Sequence, residues 1–222
     1  MDSASFRLSF VVLALAATFG FAAPAPDIHA IAAAVDAHYN HLRTLQCEFT
    51  QTYTGAGVER SESGILWLKK PGKMRWEYRS PRAKLFVSDG KEAWFYVPGE
   101  RQVRRTPVRQ LDDLRSPLAL LLGKTRLEKE LHGLSLATEL SPAEPGNVVL
   151  SGVPKGMEDR VSRVALEVTP GNWISRILVV EVDGASTEYR FRGQKENGEI
   201  ASGQFQFNPP PGVEVIDENF GQ

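Results

Sequence analysis

Segment 74–79 reads Met-Arg-Trp-Glu-Tyr-Arg, so apolar and charged side chains alternate along it without a break. Successive side chains of a β-strand point to opposite faces, so this pattern predicts a strand with one buried face and one solvated face. An isolated strand or hairpin is at best marginally stable in water. The rest of the chain must therefore supply a sheet.

Similar segments occur along most of the chain, and turn signals such as Pro71-Gly72, Asp89-Gly90 and Asp183-Gly184 separate them. Predicted strands begin at Cys47 and cover 64–70, 74–79, 85–87, 93–97, 134–140, 148–153, 161–168, 174–182, 187–191 and 204–207. Short connections favour antiparallel neighbours, because parallel neighbours need a long crossover. We therefore expect one large antiparallel sheet of about ten strands, strongly curled or barrel-like.

Two stretches have a helical pattern instead. From Asp27 to Gln46, apolar residues recur at steps of three and four, which predicts an amphipathic helix. Between Thr106 and Leu131, a Ser-Pro start and a glycine stop at position 123 predict short helices. The apolar run 118–122 has no polar face, so it needs cover on both sides or an apolar space to face.

The N-terminus has the pattern of a secretory signal peptide. Arg7 is followed by an uncharged, mostly apolar run over 8–21 and then by two alanines. This run is shorter than the roughly 20 residues that a membrane-spanning helix needs, which disfavours the alternative of a retained anchor. We expect residues 1–22 to be removed and residues 23–222 to form one domain outside the cytoplasm.

Composition and motifs exclude several classes of function. The chain has 26 Lys and Arg against 27 Asp and Glu, a net charge of -1, so no overall field favours nucleic acid. A single cysteine, Cys47, excludes a disulfide framework, and we expect it to be a buried core thiol.

No catalytic or nucleotide-binding motif is present, so we expect no enzyme activity and no cofactor, although a catalytic pair of carboxylates remains an open alternative. His38 and His41 lack a further ligand nearby, which favours surface or capping roles over a metal site.

Two surfaces remain open to interpretation. Aromatic residues on the strands could form a packed core or line a cavity, and composition does not separate these alternatives. The basic stretch is either a solvated edge or a docking patch for an acidic partner or lipid head groups. It contains Arg101, Arg104, Arg105, Arg109 and Arg115.

Several motifs occur in an order that matches a known family. They are Phe49-Thr-Gln51, Gly64-Ile-Leu-Trp-Leu-Lys-Lys-Pro71, Arg75-Trp76, Val87-Ser-Asp-Gly90, Trp94-Phe-Tyr96 with Pro98, Ser116-Pro117-Leu-Ala-Leu-Leu-Leu-Gly123 and Phe205-Gln-Phe-Asn-Pro-Pro-Pro-Gly-Val-Glu-Val-Ile-Asp217. In this order they resemble the LolA family of periplasmic outer-membrane lipoprotein carriers, over nearly the whole mature chain. The related LolB receptors are lipid-anchored through an N-terminal cysteine, and no cysteine lies near the expected cleavage point. The soluble carrier therefore fits better.

The resemblance implies an unclosed antiparallel β-barrel, with a lid of short helices over a hydrophobic cavity. It implies a periplasmic monomer without a cofactor or nucleic-acid partner, whose cargo is acylated lipoproteins. Uptake from a LolCDE-type inner-membrane ABC transporter and delivery to an outer-membrane acceptor such as LolB are implied as well. We expect the cavity to be lined by Phe49, Trp67, Met74, Trp76, Tyr78, Phe86, Trp94, Tyr96, Leu118, Leu121 and Leu122.

Two positions carry more specific expectations. The family resemblance implies an arginine before Pro71 that hydrogen-bonds the lid, whereas this chain has Lys70, which lacks the planar fork of arginine. Met74 matches an apolar residue at the cavity mouth, so we expect it near the rim of the sheet.

Two other functions remain as alternatives: a lipid- or lipoprotein-sensing regulatory module of the same fold, and a secreted hydrolase.

Overall fold

The computed structural model describes residues 26–108 and 126–217 of the 222-residue chain. The expected signal peptide, residues 1–22, and most of the predicted helical stretch lie outside these residues. The helices are α1 (Ile28–His41) and α2 (Leu127–Glu130), and Ser202–Phe205 forms a 3₁₀ turn. The strands are β1 (Thr44–Gly55), β2 (Val58–Lys69), β3 (Lys73–Ser80), β4 (Lys84–Asp89), β5 (Glu92–Tyr96), β6 (Gln102–Pro107), β7 (Leu131–Leu136), β8 (Val148–Pro154), β9 (Val161–Val168), β10 (Ile174–Glu181), β11 (Ser186–Glu196) and β12 (Glu214–Asp217).

All twelve of these strands belong to one sheet, in the order β12-β6-β5-β4-β3-β2-β1-β11-β10-β9-β8-β7. The sheet is curled and unclosed, because β12 and β7 form two separate edges. Within the described ranges, every neighbouring pair is antiparallel except β12 with β6. The predicted fold class of a curled, unclosed antiparallel sheet is confirmed, and a parallel edge strand is added to it.

The structure differs from the predicted elements in three respects. Residues 204–207, expected as a strand, begin in the 3₁₀ turn and continue without sheet pairing. The edge strands β6 and β12 were not predicted, because their short sequences carry charges and lack a clear period of two. Helix α1 ends at His41 rather than at Gln46, since β1 already begins at Thr44.

Helix α1 packs on one face of the sheet, which we call the inner face. Its N-cap is Asp27, whose carboxylate accepts from the backbone N–H groups of His29 and Ala30 at 3.0 and 3.2 Å. One side of the helix is buried and belongs to the main hydrophobic core, together with apolar residues of β1, β2 and β3. The core thiol predicted at Cys47 is confirmed, because only 2% of the residue is exposed. Burial raises the pKa of that thiol to about 12.

The opposite face, here the outer face, is covered in part by the C-terminal segment. The ring of Phe207 lies 5.6 Å from Trp94 and 5.5 Å from Tyr96, measured between centroids. Phe205 is 1% exposed, and Lys69 Nζ donates to the carbonyl of Ile200 at 3.3 Å. The sheet therefore has apolar contacts on both faces.

Gly64 allows β2 and β3 to approach closely on the inner face. The register of this strand pair shifts between Ser63 and Gly64. A Cβ atom at Gly64 would lie 1.9 Å from the carbonyl oxygen of Glu77 and 2.9 Å from the Cα of Tyr78. These are backbone atoms of a paired strand, so they cannot move aside independently.

We predict that Gly64→Ala lowers the free energy of unfolding by about 3 kcal/mol or more, because the new methyl group forces the two strands apart. Urea denaturation of the variant and the wild type measures this change. The control is Gly198→Ala, where no atom lies within 4 Å of the added Cβ and we expect a change below about 0.5 kcal/mol. Equal stability of the two variants would contradict the close approach.

Candidate functional site

The inner face carries four aromatic side chains in mutual contact, which we call the inner-face aromatic cluster: Phe49 of β1, Trp76 and Tyr78 of β3, and Tyr189 of β11. The ring of Phe49 lies 4.9 Å from Trp76 and 4.9 Å from Tyr78, and Trp76 lies 5.9 Å from Tyr189. Gly64 pairs with both Phe49 and Tyr78, so the two rings meet across a position that has no side chain. Edge-to-face geometry of this kind favours aromatic pairs beyond their area burial.

The cluster is packed rather than open. Phe49 is 2% exposed, Trp76 is 3% exposed and Met74 is 4% exposed. These residues form one continuous core with Val35 and Tyr39 of α1. In this structure the helix and the apolar side of the sheet therefore cover each other.

Five of the residues expected to line the cavity share the inner face: Phe49, Met74, Trp76, Tyr78 and Phe86. The strand register brings them together, because Trp76 pairs with Phe86 on β4 and is two residues from both Met74 and Tyr78. Met74 lies at the beginning of β3, as expected for a residue near the rim, but it is almost fully buried. A position near the end of a strand therefore does not make this residue accessible.

Three other expected residues, Trp67, Trp94 and Tyr96, lie on the outer face. Trp67 pairs with Arg75, and Trp94 pairs with Val87, so the register places them one residue out of phase with the cluster. Trp94 and Tyr96 contact the C-terminal segment instead. The structure does not bring these three residues to the cluster.

The remaining expected lining residues, Leu118, Leu121 and Leu122, lie outside the described residues. So do Arg109 and Arg115 of the basic stretch. Arg105, in contrast, is paired with Asp217, with Nε 2.6 Å from Oδ1. Its charge is therefore engaged at the sheet edge.

Polar side chains border the cluster on the inner face and form what we call the polar rim. The Tyr78 hydroxyl donates to Gln51 Oε1 at 2.7 Å, and Lys84 Nζ lies 2.6 Å from Glu62 Oε2. The same Lys84 ammonium lies 4.4 Å from the centroid of the Tyr78 ring. Burial raises the pKa of Tyr78, and it raises the pKa of Tyr189 to about 12, so both hydroxyls stay protonated and able to donate at neutral pH.

The polar rim was not predicted from the sequence, although the period of two along β1 and β4 indicates it. Gln51 follows Phe49 at a spacing of two, and Lys84 precedes Phe86 at the same spacing, so both lie on the inner face. The period of two that located the apolar residues therefore also located their polar neighbours.

Lys70 holds α1 to the sheet. Its ammonium donates to the backbone carbonyl of Tyr39 in the last turn of the helix, where carbonyls lack intrahelical partners. Burial lowers the pKa of Lys70. The Tyr39 hydroxyl accepts from the backbone N–H of Ile174 at 3.0 Å, which joins the same turn to β10. A role of Lys70 towards residues 111–123, where the lid was expected, lies outside the described residues.

Three further polar contacts involve α1. The Asp36 carboxylate accepts from the backbone N–H of Leu127 at 3.0 and 3.1 Å, and burial is the main cause that raises its pKa. His29 Nδ1 lies 2.5 Å from Glu128 on α2. The third contact joins His38 to Glu196 on β11, again at 2.5 Å.

His38 and His41 have separate partners. His38 faces Glu196, and His41 Nδ1 lies 2.6 Å from the carbonyl oxygen of Ala37. Within residues 26–108 and 126–217, no three His, Cys, Asp or Glu side chains form a group suited to a metal ion. None of the helices in these ranges combines the length and hydropathy needed to cross a bilayer.

We predict that Met74→Glu lowers the free energy of unfolding by several kcal/mol at about pH 7, because a carboxylate must then be buried in the core. Burial raises the folded-state pKa of the new carboxyl above its unfolded value, so the penalty is full above the folded pKa and shrinks as the pH falls towards about 4. Urea denaturation of the variant and the wild type at both pH values measures the difference. Met74→Leu is the control, with an expected loss below about 1.5 kcal/mol. A variant as stable as the wild type at about pH 7 would show that Met74 is not buried.

We predict that Lys70→Met accelerates amide hydrogen exchange in the last turn of α1 by about fivefold, which corresponds to one hydrogen bond of about 1 kcal/mol. Mass spectrometry of peptides covering 36–42 measures the rate. Lys69→Met is the matched control, because this neighbouring lysine reaches the C-terminal segment on the outer face. Equal rates in Lys70→Met and the wild type would show that Lys70 does not hold α1.

Comparison with known proteins gives consistent results. The family model described as outer membrane lipoprotein carrier protein LolA matches residues 40–208. The outer-membrane lipoprotein carrier protein of Nitrosospira multiformis is 32% identical over 183 residues, which cover 80% of this chain and 84% of that protein. The corresponding protein of Chromobacterium violaceum is 32% identical over 207 residues, which cover 93% and 96% of the two chains.

Among solved structures, a LolA superfamily protein from Nitrosomonas europaea aligns with 82% of this chain and 99% of its own, at 12% identity and a TM-score of 0.46. The family match rests on the sequence comparisons, which span most of the chain and include β1 to β5, the strands that carry most of the inner-face residues described above. This chain belongs to the LolA family of outer-membrane lipoprotein carrier proteins.

Proposed function

We propose that this protein is a periplasmic chaperone that shields the acyl chains of lipoproteins and carries them to the outer membrane. The observation that carries the proposal is the inner-face aromatic cluster, an apolar surface that α1 helps to cover. Membership of the LolA family supports it, as does the naming of relatives as outer-membrane lipoprotein carrier proteins.

The need for such a carrier follows from the cost of exposing lipid to water. At about 0.8 kcal/mol per CH₂ group, an acyl chain of about sixteen carbons costs on the order of 12 kcal/mol in water. A lipoprotein therefore requires a protein that buries its chains while it crosses an aqueous compartment. This task is binding, so the proposal includes no chemical step and no cofactor.

Cargo must compete with the packing of the empty protein, because the inner face is already buried. The polar contacts of α1 with Lys70, Ile174 and Leu127 are each worth about 1 kcal/mol, so acyl chains that fill the apolar space can offset their loss. When the cargo leaves, the helix packs on the sheet again. This closure favours release without chemical energy.

The route of the cargo is part of the proposal. The protein takes lipoproteins from a LolCDE-type inner-membrane ABC transporter and delivers them to an outer-membrane acceptor such as LolB. In this scheme the apolar inner face is exposed only while cargo is exchanged, which limits aggregation of the empty carrier.

We predict that Phe86→Glu abolishes lipoprotein uptake, because it introduces a charge on the inner face next to Trp76. Phe86 is half-buried, so the variant is expected to fold. The matched control is Leu85→Glu, which places the same charge at a half-buried neighbour on the opposite face. Purified variants are incubated with spheroplasts, and the lipoprotein released in complex with each one is quantified.

The expected result is a complex with the wild type and with Leu85→Glu, and none with Phe86→Glu. A cargo whose acylated cysteine is replaced by serine serves as a second control and should not be bound. Binding of this unacylated cargo, or equal binding by the two glutamate variants, would contradict a carrier that acts through its inner face.

A further inference from the structure

Trp76 holds a buried hydrogen-bond donor that no other residue in the described ranges uses. Its indole Nε1 has no hydrogen-bond acceptor in the described part of the chain, and the residue is 3% exposed. The other buried side-chain atoms without a well-aligned hydrogen bond belong to His38, Glu196 and Glu167. His38 and Glu196 lie 2.5 Å from each other, and Glu167 lies 2.8 Å from Arg176.

An unused donor in a protein core is costly. A buried N–H without an acceptor loses the hydrogen bond that water would supply, whereas a phenylalanine in the same place has no such donor to satisfy. Among residues 26–108 and 126–217, Phe49 and Tyr189 supply aromatic contacts to Trp76, but none supplies a hydrogen bond to its indole N–H. A ligand that brings an acceptor into the cluster would remove this penalty.

The position of Trp76 fits the chemistry of an acylated cysteine. Tyr78, where the polar rim begins, lies two residues further along β3, a distance of about 7 Å. Acyl chains laid along the cluster would have their ester or amide carbonyls at the end nearest the rim. The peptide of the cargo would leave across Gln51 and the Lys84–Glu62 pair, which are polar and half-buried.

We infer that the Trp76 indole N–H donates to an ester carbonyl of the acylated cysteine, and that it thereby selects ester-linked acyl chains over ether-linked or plain alkyl chains. This inference rests on the proposed function, because it assigns a specificity-determining residue within the same face. It gives the tryptophan a role that hydrophobic burial alone does not require.

The test compares two synthetic lipopeptides of equal chain length. One carries two palmitoyl esters on an S-glyceryl cysteine, and the other carries ether links in place of the esters. The wild type should bind the ester form about fivefold more tightly, the effect of about one neutral hydrogen bond, and Trp76→Phe should bind both forms equally. Trp94→Phe is the control on the outer face and should keep the preference of the wild type.

A second measurement does not depend on how the variant folds. In the ¹⁵N-labelled wild type, the indole N–H resonance of Trp76 should move downfield with the ester lipopeptide and less with the ether form. Failure of the wild type to bind either lipopeptide would overturn the proposed function. Equal binding of both forms, with no difference in the indole shift, would overturn only the role of Trp76.

Discussion

The packing of aromatic rings across Gly64 is the contact on which the rest of the structure depends. Phe49 and Tyr78 meet above this glycine, and Trp76 joins them from the next pair of the ladder. Each such aromatic pair contributes about 0.5–1.5 kcal/mol beyond burial of its area. Because the backbone at Gly64 leaves no room for a Cβ atom, the cluster, the register of β2 with β3 and the close approach of these strands constrain one another.

This arrangement gives one set of residues two tasks. In the structure the cluster is core, and it stabilises the fold by packing under α1. In the proposed loaded state the same surface would hold acyl chains. A carrier of this kind needs a cover that is held firmly enough to close and weakly enough to open. A few polar contacts around Asp36, Tyr39 and Lys70 meet this requirement better than further apolar packing would.

Much of the fold could be predicted from the sequence, because local chemistry determines it. The alternation over 74–79 and the glycine-containing turns are local signals, and they led to the antiparallel sheet and its inner face. The faces of Trp67 and Trp94 depend on which residues pair across strands, and apolar character alone does not show this. The parallel pairing of β12 also depends on a long connection, which no turn motif specifies.

The candidate site was predictable to a similar extent. The resemblance to carriers led to Met74, Trp76 and Tyr78, but the near-complete burial of Met74 is a property of tertiary packing. The unpartnered indole N–H of Trp76 could not be predicted from the sequence for the same reason, because whether a buried donor has an acceptor depends on the residues packed around it. The positions of inner-face residues could be predicted, whereas their exposure and hydrogen bonding could not.

The most direct test of this account is a distance between α1 and the sheet in the empty and loaded protein. Spin labels at two exposed positions, Ala33 on α1 and Thr50 on the outer face of β1, would report it by electron double resonance, with Cys47 replaced by alanine. We expect one short distance without lipopeptide and an increase of about 4 Å or more with bound lipopeptide, since a layer of hydrocarbon must enter. An unchanged distance in a protein that holds lipopeptide would contradict it.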